Sequence, residues 1–170
     1  MQKILFLFTA VIFTFSAFSQ KEEAQAFLKK AQTKIDIGDY AAAITELNKA
    51  VEKDPANLNI YLKRAFCYGA TTNFQGAVDD YSKVIELKPD LESAYVSRGS
   101  AKNKLKKYTE AVMDFDKALQ LKPDDFDAYN NRGWAKKGMG DDDGACKDWR
   151  YSKKKGNGEA KIILENNRCK

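Results

Sequence analysis

The sequence repeats itself with a period of 34 residues. Three prolines lie one period apart, at Pro55, Pro89 and Pro123. Aromatic and alanine positions keep the same spacing, at Phe27, Tyr61, Tyr95 and Tyr129, and at Ala43, Ala77, Ala111 and Ala145. A self-match at this period predicts helix–turn–helix units that stack, because one such unit cannot bury its apolar face alone.

The unit at residues 92–125 shows why each copy should form two helices. Its apolar residues recur at i, i+3, i+4 and i+7, which is typical of amphipathic helices. They are Tyr95, Val96, Gly99 and Leu105 in the first helix, and Tyr108, Ala111, Val112, Phe115, Ala118 and Leu119 in the second. Small residues recur where the two helices must cross closely, as Ala31 with Ala43, Ala65 with Ala77, Gly99 with Ala111, and Gly133 with Ala145. Proline then ends the second helix.

This pattern resembles the tetratricopeptide repeat (TPR) family. The aromatic, small, small, aromatic, small and proline positions of that family read here as Tyr95, Gly99, Ala111, Phe115, Ala118 and Pro123. The resemblance covers about residues 22–157 in four tandem copies, at about 22–56, 57–90, 91–124 and 125–157. It implies an all-α, right-handed α-solenoid of eight repeat helices, followed by a capping helix and tail in residues 158–170.

The copies differ in their turns and at the end of the array. The helices of the first copy are expected near 22–37 and 40–53. The turns fall at Gly38-Asp39, Thr72-Asn73 and Lys106-Lys107. The absence of a glycine from the third turn favours a looser third hairpin. The fourth copy departs from the pattern, as terminal repeats commonly do. Its departures are Asp142 at the aromatic position, Ser152 at the small one and Asn157 at the proline.

Each copy carries a basic and an acidic residue 16 positions apart, with the turn midway between them. In an antiparallel helix pair, equal distances from the turn place two residues at the same level. We therefore predict structural ion pairs rather than catalytic groups, since a catalytic site would not recur in every copy. The pairs are Lys30 with Glu46, Arg64 with Asp80, Arg98 with Asp114, and Arg132 with Asp148.

Composition argues against catalysis, a cofactor and nucleic acid. The chain has no histidine, which removes the commonest general base and metal ligand. The net charge of +5 is too mild to indicate nucleic-acid binding. The run Asp141-Asp142-Asp143-Gly144 fails the alternating spacing of a calcium loop and reads better as a turn and helix N-cap. We expect no enzyme, no metal and no cofactor.

The first 19 residues predict a secretory signal peptide. Lys3 precedes an uncharged apolar run from Ile4 to Phe18, and small residues precede Gln20. An uncleaved membrane anchor is the alternative, although the run is shorter than a span requires. The prediction implies an exported protein, periplasmic or secreted in a Gram-negative cell, without membrane insertion after cleavage.

The resemblance implies a concave groove that takes a peptide segment, lined by the first helix of each copy. By repeat position, the residues expected to line it are Gln25, Leu28, Gln32, Asn59, Leu62, Phe66, Val96, Ser100, Asn103, Asn130, Trp134 and Lys137. A polar row beside an apolar row suits an extended peptide. The alternative is that Phe66 and Trp134 only pack helix interfaces. The carboxylate clamp of some family members is not matched, because only Lys63 among the corresponding residues is basic.

Two functions remain open from the sequence. The first is a non-enzymatic interaction module that binds a peptide of an unidentified protein partner in this groove. The second is a structural subunit of a cell-envelope or secretion assembly, docking through its convex face and its lysine clusters. These clusters are Lys102, Lys104, Lys106 and Lys107, and Lys153 to Lys155, and each could equally be a solvated face.

Three cysteines leave at least one thiol unpaired. Cys146 lies 10 residues before Gly156 and Cys169 lies 13 after it, on helices expected to be antiparallel. Their axial mismatch is then only about 4.5 Å, which a disulfide tolerates. We predict a Cys146–Cys169 disulfide with Cys67 free; three free thiols are the alternative.

The signal peptide yields a direct prediction: the mature chain begins at Gln20. The reason is the small-residue end of the apolar run, which is the pattern that precedes a cleavage site. Intact-mass measurement of the exported protein checks it. A membrane-bound species that retains residues 1–19 would contradict cleavage.

Overall fold

The structure, a computed structural model, is all α-helical over the residues it describes, which are the backbone of 2–169 and the side chains of 18–169. Nine helices occur in this part of the chain. They are α1 (Gln2–Asp36), α2 (Tyr40–Lys53), α3 (Leu58–Ala70), α4 (Phe74–Leu87), α5 (Glu92–Lys104), α6 (Tyr108–Leu121), α7 (Phe126–Gly138), α8 (Asp142–Lys154) and α9 (Ala160–Asn166). Each of the four copies contains the two helices that the 34-residue period predicts.

The helices form two compact units. The first, Met1–Thr71, contains α1 to α3, and the second, Thr72–Lys170, contains α4 to α9. The boundary falls at the turn of the second hairpin, inside the predicted repeat 57–90. The four-repeat division of residues 22–157 stays a prediction.

Helix α1 differs from its predicted extent. The periodicity predicts a first helix over about 22–37, whereas α1 begins at Gln2 and ends at Asp36. The physical reason is that no glycine or proline precedes Gly38, so nothing in the sequence interrupts the helix. The signal segment, residues 1–19, lies almost wholly outside the described side chains, and its cleavage stays a prediction. Among the described residues, no helix has the length and apolar character needed to cross a membrane.

Each hairpin turn places one residue in the left-handed region. Gly38 and Gly140 do so with φ of 77° and 83°, and Thr72 and Lys106 with φ of 60°. At the third hairpin, Lys106 N–H donates to Asn103 O and the next N–H to Lys102 O, both at 2.9 Å. Gly38 closes the first hairpin with the same pair of bonds. The expectation of a looser third hairpin is therefore wrong: the Schellman motif forms with lysine at modest strain.

The prolines and tyrosines that keep the period also contact one another. Tyr61 donates its hydroxyl hydrogen to the carbonyl oxygen of Pro55 at 2.9 Å. Tyr95 makes the same bond to Pro89 at 3.0 Å. This bond fixes the link between one helix pair and the first helix of the next, because it joins the residue that ends one helix to a ring buried on the following one.

Small residues at the crossings allow large ones to be buried beside them. Gly99 faces the ring of Phe115, and Gly133 faces the indole of Trp149. Phe115 and Trp149 are both fully buried. A Cβ atom on Gly133 would lie 2.5 Å from Trp149 Nε1, so glycine is required there by space.

The last hairpin is closed by α9, which packs on α8 through the fully buried Ala160. A disulfide joins Cys146 in α8 to Cys169 after α9, with their Cα atoms 5.5 Å apart. Cys67 is a free and fully buried thiol, and burial raises its pKa. The structure thus contains the pairing that counting residues from the turn predicts, and it attaches the cap to the last repeat.

The helix crossings predict that replacing glycine by alanine affects stability in opposite directions at Gly133 and Gly69. Gly133→Ala should lower the free energy of unfolding by about 1–2 kcal/mol, because overpacking against a buried indole outweighs the better helix propensity of alanine. Gly69→Ala, whose Cβ would meet nothing within 4 Å, should be neutral or stabilising by up to about 1 kcal/mol. Urea denaturation measures both. Equal effects at the two positions would contradict the crossing account.

Candidate functional site

The third hairpin buries a carboxylate between two cations. Arg98 donates from Nε and Nη2 to the two oxygens of Asp114, at 3.0 and 2.6 Å. Lys102 Nζ lies 2.8 Å from the same carboxylate, and Arg98 Nη1 also donates to Ser82 Oγ. Asp114 is almost completely buried. The predicted pair is therefore present, and it is extended by a lysine one helical turn further on.

The fourth hairpin repeats this arrangement. Arg132 binds both oxygens of the buried Asp148 at 2.8 and 2.7 Å, and Lys136 lies 2.9 Å from Asp148. A further bond joins Arg132 to Asp116 at 2.5 Å. Burial opposes the charged guanidinium, but the Asp148 and Asp116 carboxylates outweigh it and raise the pKa of Arg132. These charges are therefore engaged by structural partners within the chain.

The first hairpin differs from the prediction of a Lys30–Glu46 contact. Glu46 pairs instead with Lys49 on its own helix, at 2.8 Å. The Lys49 hydrogen bond, with a longer-range contribution from Lys30, lowers the pKa of Glu46. Lys49 lies one turn further along the same helix, within reach of the glutamate side chain, whereas Lys30 Nζ lies 5.5 Å from the centroid of the Phe27 ring. Arg64, by contrast, donates to Asn48 at 2.9 Å, and its pairing with Asp80 stays a prediction.

In the second unit, the predicted groove contains a defined cleft between α5 and α7. It encloses about 320 Å³. It is lined by Ser100, Asn103, Lys104, Tyr108, Asn131 and Trp134. The structure thus brings together three predicted groove residues, Ser100, Asn103 and Trp134, on two adjacent first helices.

Trp134 forms one wall of this cleft and is held in place from below. Its side chain is 44% exposed. It packs edge-on against Trp149, with ring centroids 4.9 Å apart, and Trp149 is fully buried. Trp149 is fixed in turn because its Nε1–H donates to Asn130 O at 3.2 Å. The exposed indole is therefore a rigid apolar surface, which lowers the entropic cost of binding against it.

Two buried amide oxygens on α5 and α7 lack hydrogen-bond partners among the described residues. They are Oδ1 of Asn103, which lines the cleft, and Oδ1 of Asn130, which does not. The orientation of Asn103 is set because its Nδ2 donates to Asn131 O at 3.0 Å. Both oxygens are shielded from solvent, so they do not offer ready acceptors to a bound chain.

The other ends of α5 and α7 are acidic. Burial, reinforced by Asp125, raises the pKa of both Glu92 and Asp127. Burial also acts on Asp125, but the Ala128 N–H and Lys122 outweigh it and lower its pKa. Glu92 and Asn103 lie about 16 Å apart along α5 at 1.5 Å per residue. The groove of this unit therefore has an acidic edge and, at Lys104, a basic one.

Groove residues of the first unit are placed less favourably. Leu28 and Ile35 pack against the core, and Gln32 accepts a hydrogen bond from Lys63 and donates to Asp36. Phe66 is 50% exposed and meets Tyr40 edge-on, with ring centroids 5.8 Å apart.

The remaining predicted groove residues lie on the first helices of their copies and do not line the Trp134 cleft. Gln25 and Asn59 are exposed, and Leu62 is half-buried. Val96 packs against the core of the second unit. Lys137 is engaged by Asp142 at 2.8 Å.

Lys104, Tyr108 and Asn131 also line the cleft and were not predicted from the sequence. The sequence pattern predicts Tyr108 as a core residue of a second helix. A signal does exist, because Tyr40 and Phe66 recur two periods later as Tyr108 and Trp134. The ring contact between the first two predicts that the second two also lie together, and the structure places both around one cleft.

Several lysines of the clusters that could form an alternative docking face already have partners within the chain. In the lysine clusters, Lys102 is buried in an ion pair, Lys107 donates to Gln75, and Lys155 pairs with Asp124 beneath the Tyr151 ring. Asp141 caps α8 by accepting from Gly144 N–H at 2.9 Å. Over the described residues, no cluster of acidic or cysteine side chains could hold a metal ion.

Two family models match the sequence. One for the TPR repeat matches residues 31–71 and 99–140, and one for the tetratricopeptide repeat matches 58–91. Together they cover more than half of the chain, and the protein belongs to the tetratricopeptide repeat family. Proteins of this family are generally non-enzymatic interaction modules. A search of curated proteins finds no significant match.

Solved TPR structures resemble the chain in fold. A crystal structure of MamA protein is 27% identical, with a TM-score of 0.74, over 81% of this chain and 75% of that one. The first TPR of Spaghetti (RPAP3), bound to the HSP90 peptide SRMEEVD, is 28% identical, with a TM-score of 0.65, over 71% and 95%. The Arabidopsis OM64 TPR domain is 26% identical, with a TM-score of 0.64, over 69% and 98%. These matches confirm the all-α TPR solenoid class.

The buried network predicts strong coupling between Arg98 and Asp114. Arg98→Leu should lower the free energy of unfolding by about 3 kcal/mol, because it removes the bidentate partner of a buried carboxylate. Adding Asp114→Leu should recover part of that loss. Lys117→Leu, at an exposed residue of α6, is the control and should change stability by less than about 0.5 kcal/mol. Additive losses in a double-mutant cycle by urea denaturation would show that the pair does not couple.

Proposed function

We propose that this protein is an interaction module that binds an extended peptide segment of a protein partner across α5 and α7. The observation that carries the proposal is the Trp134 cleft, where an exposed indole supported by the buried Trp149 shares a concave surface with Ser100, Asn103 and Asn131. An exposed aromatic on a fixed support is the usual form of a binding hot spot. The peptide-bound RPAP3 relative supports the same use of the fold.

The chemistry of the cleft specifies the segment it would take. An apolar or aromatic side chain would fill the space between the Tyr108 and Trp134 rings. Backbone groups of the segment on either side would form hydrogen bonds with Ser100 and Asn131, whose residues line the same cleft. Towards the acidic edge at Glu92 and Asp127, a basic residue of the segment would be favoured by charge complementarity.

Export of the protein belongs to the same proposal. It is supported by the apolar run of residues 4–18 and by the Cys146–Cys169 disulfide, since disulfides persist in oxidising compartments. A groove module in the periplasm or outside the cell would meet envelope or secreted proteins. The structural-subunit alternative is less favoured, because several lysines of its proposed docking face are already paired within the chain.

Peptide selection followed by substitution tests the groove. Peptides selected from a random library on residues 20–170 should bind the unsubstituted protein. Trp134→Ala should then weaken that binding by at least tenfold, since truncating an aromatic hot spot costs about 2 kcal/mol or more. Isothermal titration calorimetry measures the affinities, and thermal melts confirm that the variant is folded.

Phe126→Ala provides the matched control, because Phe126 is an exposed aromatic on the same helix and does not line the cleft. It should leave the affinity unchanged. If Trp134→Ala binds normally while reversing the charges of Lys106, Lys153 and Lys154, which do not line the cleft, abolishes binding, the groove proposal is wrong and the lysine-face alternative is favoured.

A further inference from the structure

A second, larger cleft lies in the same unit under the C-terminal cap, and the groove does not account for it. It encloses about 660 Å³. It is lined on one side by residues of α8 and on the other by the segment that follows α9. The cation-bearing residues around it are Lys137, Lys147, Arg150 and Arg168, and the carboxylates are Asp142 and Asp143.

The charges around this cleft do not cancel. Lys137 and Asp142 neutralise each other in an ion pair of 2.8 Å. Among the described residues, Lys147, Arg150 and Arg168 form no ion pair, and the remaining carboxylate is Asp143. Three cations therefore face one anion across a concave surface, and this excess favours an anionic ligand.

The disulfide and the end of α9 fix where the two arginines lie. Arg150 is one helical turn after Cys146, so the two residues share a face of α8. Arg168 immediately precedes Cys169 and takes a left-handed backbone with φ of 53°. Its N–H donates to Glu165 O and the Cys169 N–H to Leu164 O, which forms a Schellman motif. The covalent bond thus brings Arg168 to the face that carries Arg150.

We propose that this cleft is an oxyanion-binding site, for a phosphate or sulfate group, that the Cys146–Cys169 disulfide assembles. Each guanidinium presents a planar fork of donors that matches two oxygens at once. Two forks and the Lys147 ammonium offer more donors than the two oxygens of a carboxylate can accept, whereas a tetrahedral oxyanion has three or four oxygens. The site is independent of the proposed peptide groove.

Titration of the oxidised protein with sodium phosphate and with sodium sulfate tests the proposal. Amide chemical shifts are followed by NMR at constant ionic strength, with chloride as the compensating anion. We expect saturable shifts centred on residues 146–150 and 167–169, with a dissociation constant in the millimolar range because the cations are solvent-exposed. Arg150→Ala and Arg168→Ala should each weaken binding by about tenfold, the usual effect of losing a charge-assisted hydrogen bond.

Three comparisons make the result decisive. Lys161→Ala removes a cation of α9 that does not line the cleft and should leave the affinity unchanged. The double variant Cys146→Ser with Cys169→Ser should bind about tenfold more weakly, and Trp134→Ala should bind normally. Shifts that never saturate, or that weaken equally with Lys161→Ala, would overturn the site. Undiminished binding by the double serine variant would overturn its assembly by the disulfide.

Discussion

The close crossing of the two helices in the first, third and fourth hairpins is the constraint on which the rest of the structure depends. Small residues occupy the crossing because a side chain there would meet the partner helix, as a Cβ on Gly133 would meet Trp149. Close approach in turn gives the long side chains at the same level a short path to each other. The bidentate Arg98–Asp114 and Arg132–Asp148 bonds follow from that geometry.

The same crossing in the fourth hairpin links the fold to the candidate site. Glycine at position 133 leaves room for Trp149 to be fully buried, and Trp149 then supports the exposed Trp134. In the other described aromatic pair of this kind, Tyr40 supports Phe66. The second unit differs because its exposed aromatic side chain lines a cleft together with Ser100, Asn103 and Asn131. The side chains suited to binding are therefore concentrated on α5 and α7, the first helices of the third and fourth copies.

The period made much of the fold predictable, because positions that recur in every copy report the packing that every copy shares. The bounds of α2, the level of the third and fourth ion pairs and the pairing of Cys146 with Cys169 all follow from counting residues about a turn. Features of single copies were harder to predict. The Lys49 partner of Glu46 lies on the same helix, and counting residues about the turn considers only partners on the other helix.

The role of Tyr108 in the cleft depends on a contact between neighbouring copies. That contact cannot be predicted when each hairpin is considered alone. The start of α1 at Gln2 reflects the absence of helix breakers rather than any repeat position. The sequence predicted the site as a row of residues on first helices. It did not predict the cleft, because the cleft also requires Lys104, Tyr108 and Asn131. Sequence periodicity therefore identifies the scaffold more completely than the surface it presents.

The central claim is that a buried tryptophan rigidly supports an exposed one, and the chain's two indole N–H groups report on it separately. Hydrogen exchange of both, followed by NMR, is the most direct measurement. The account predicts that the Trp149 indole N–H, buried and bonded to Asn130 O, exchanges orders of magnitude more slowly than that of Trp134. Exchange of the two indoles at similar rates would contradict it.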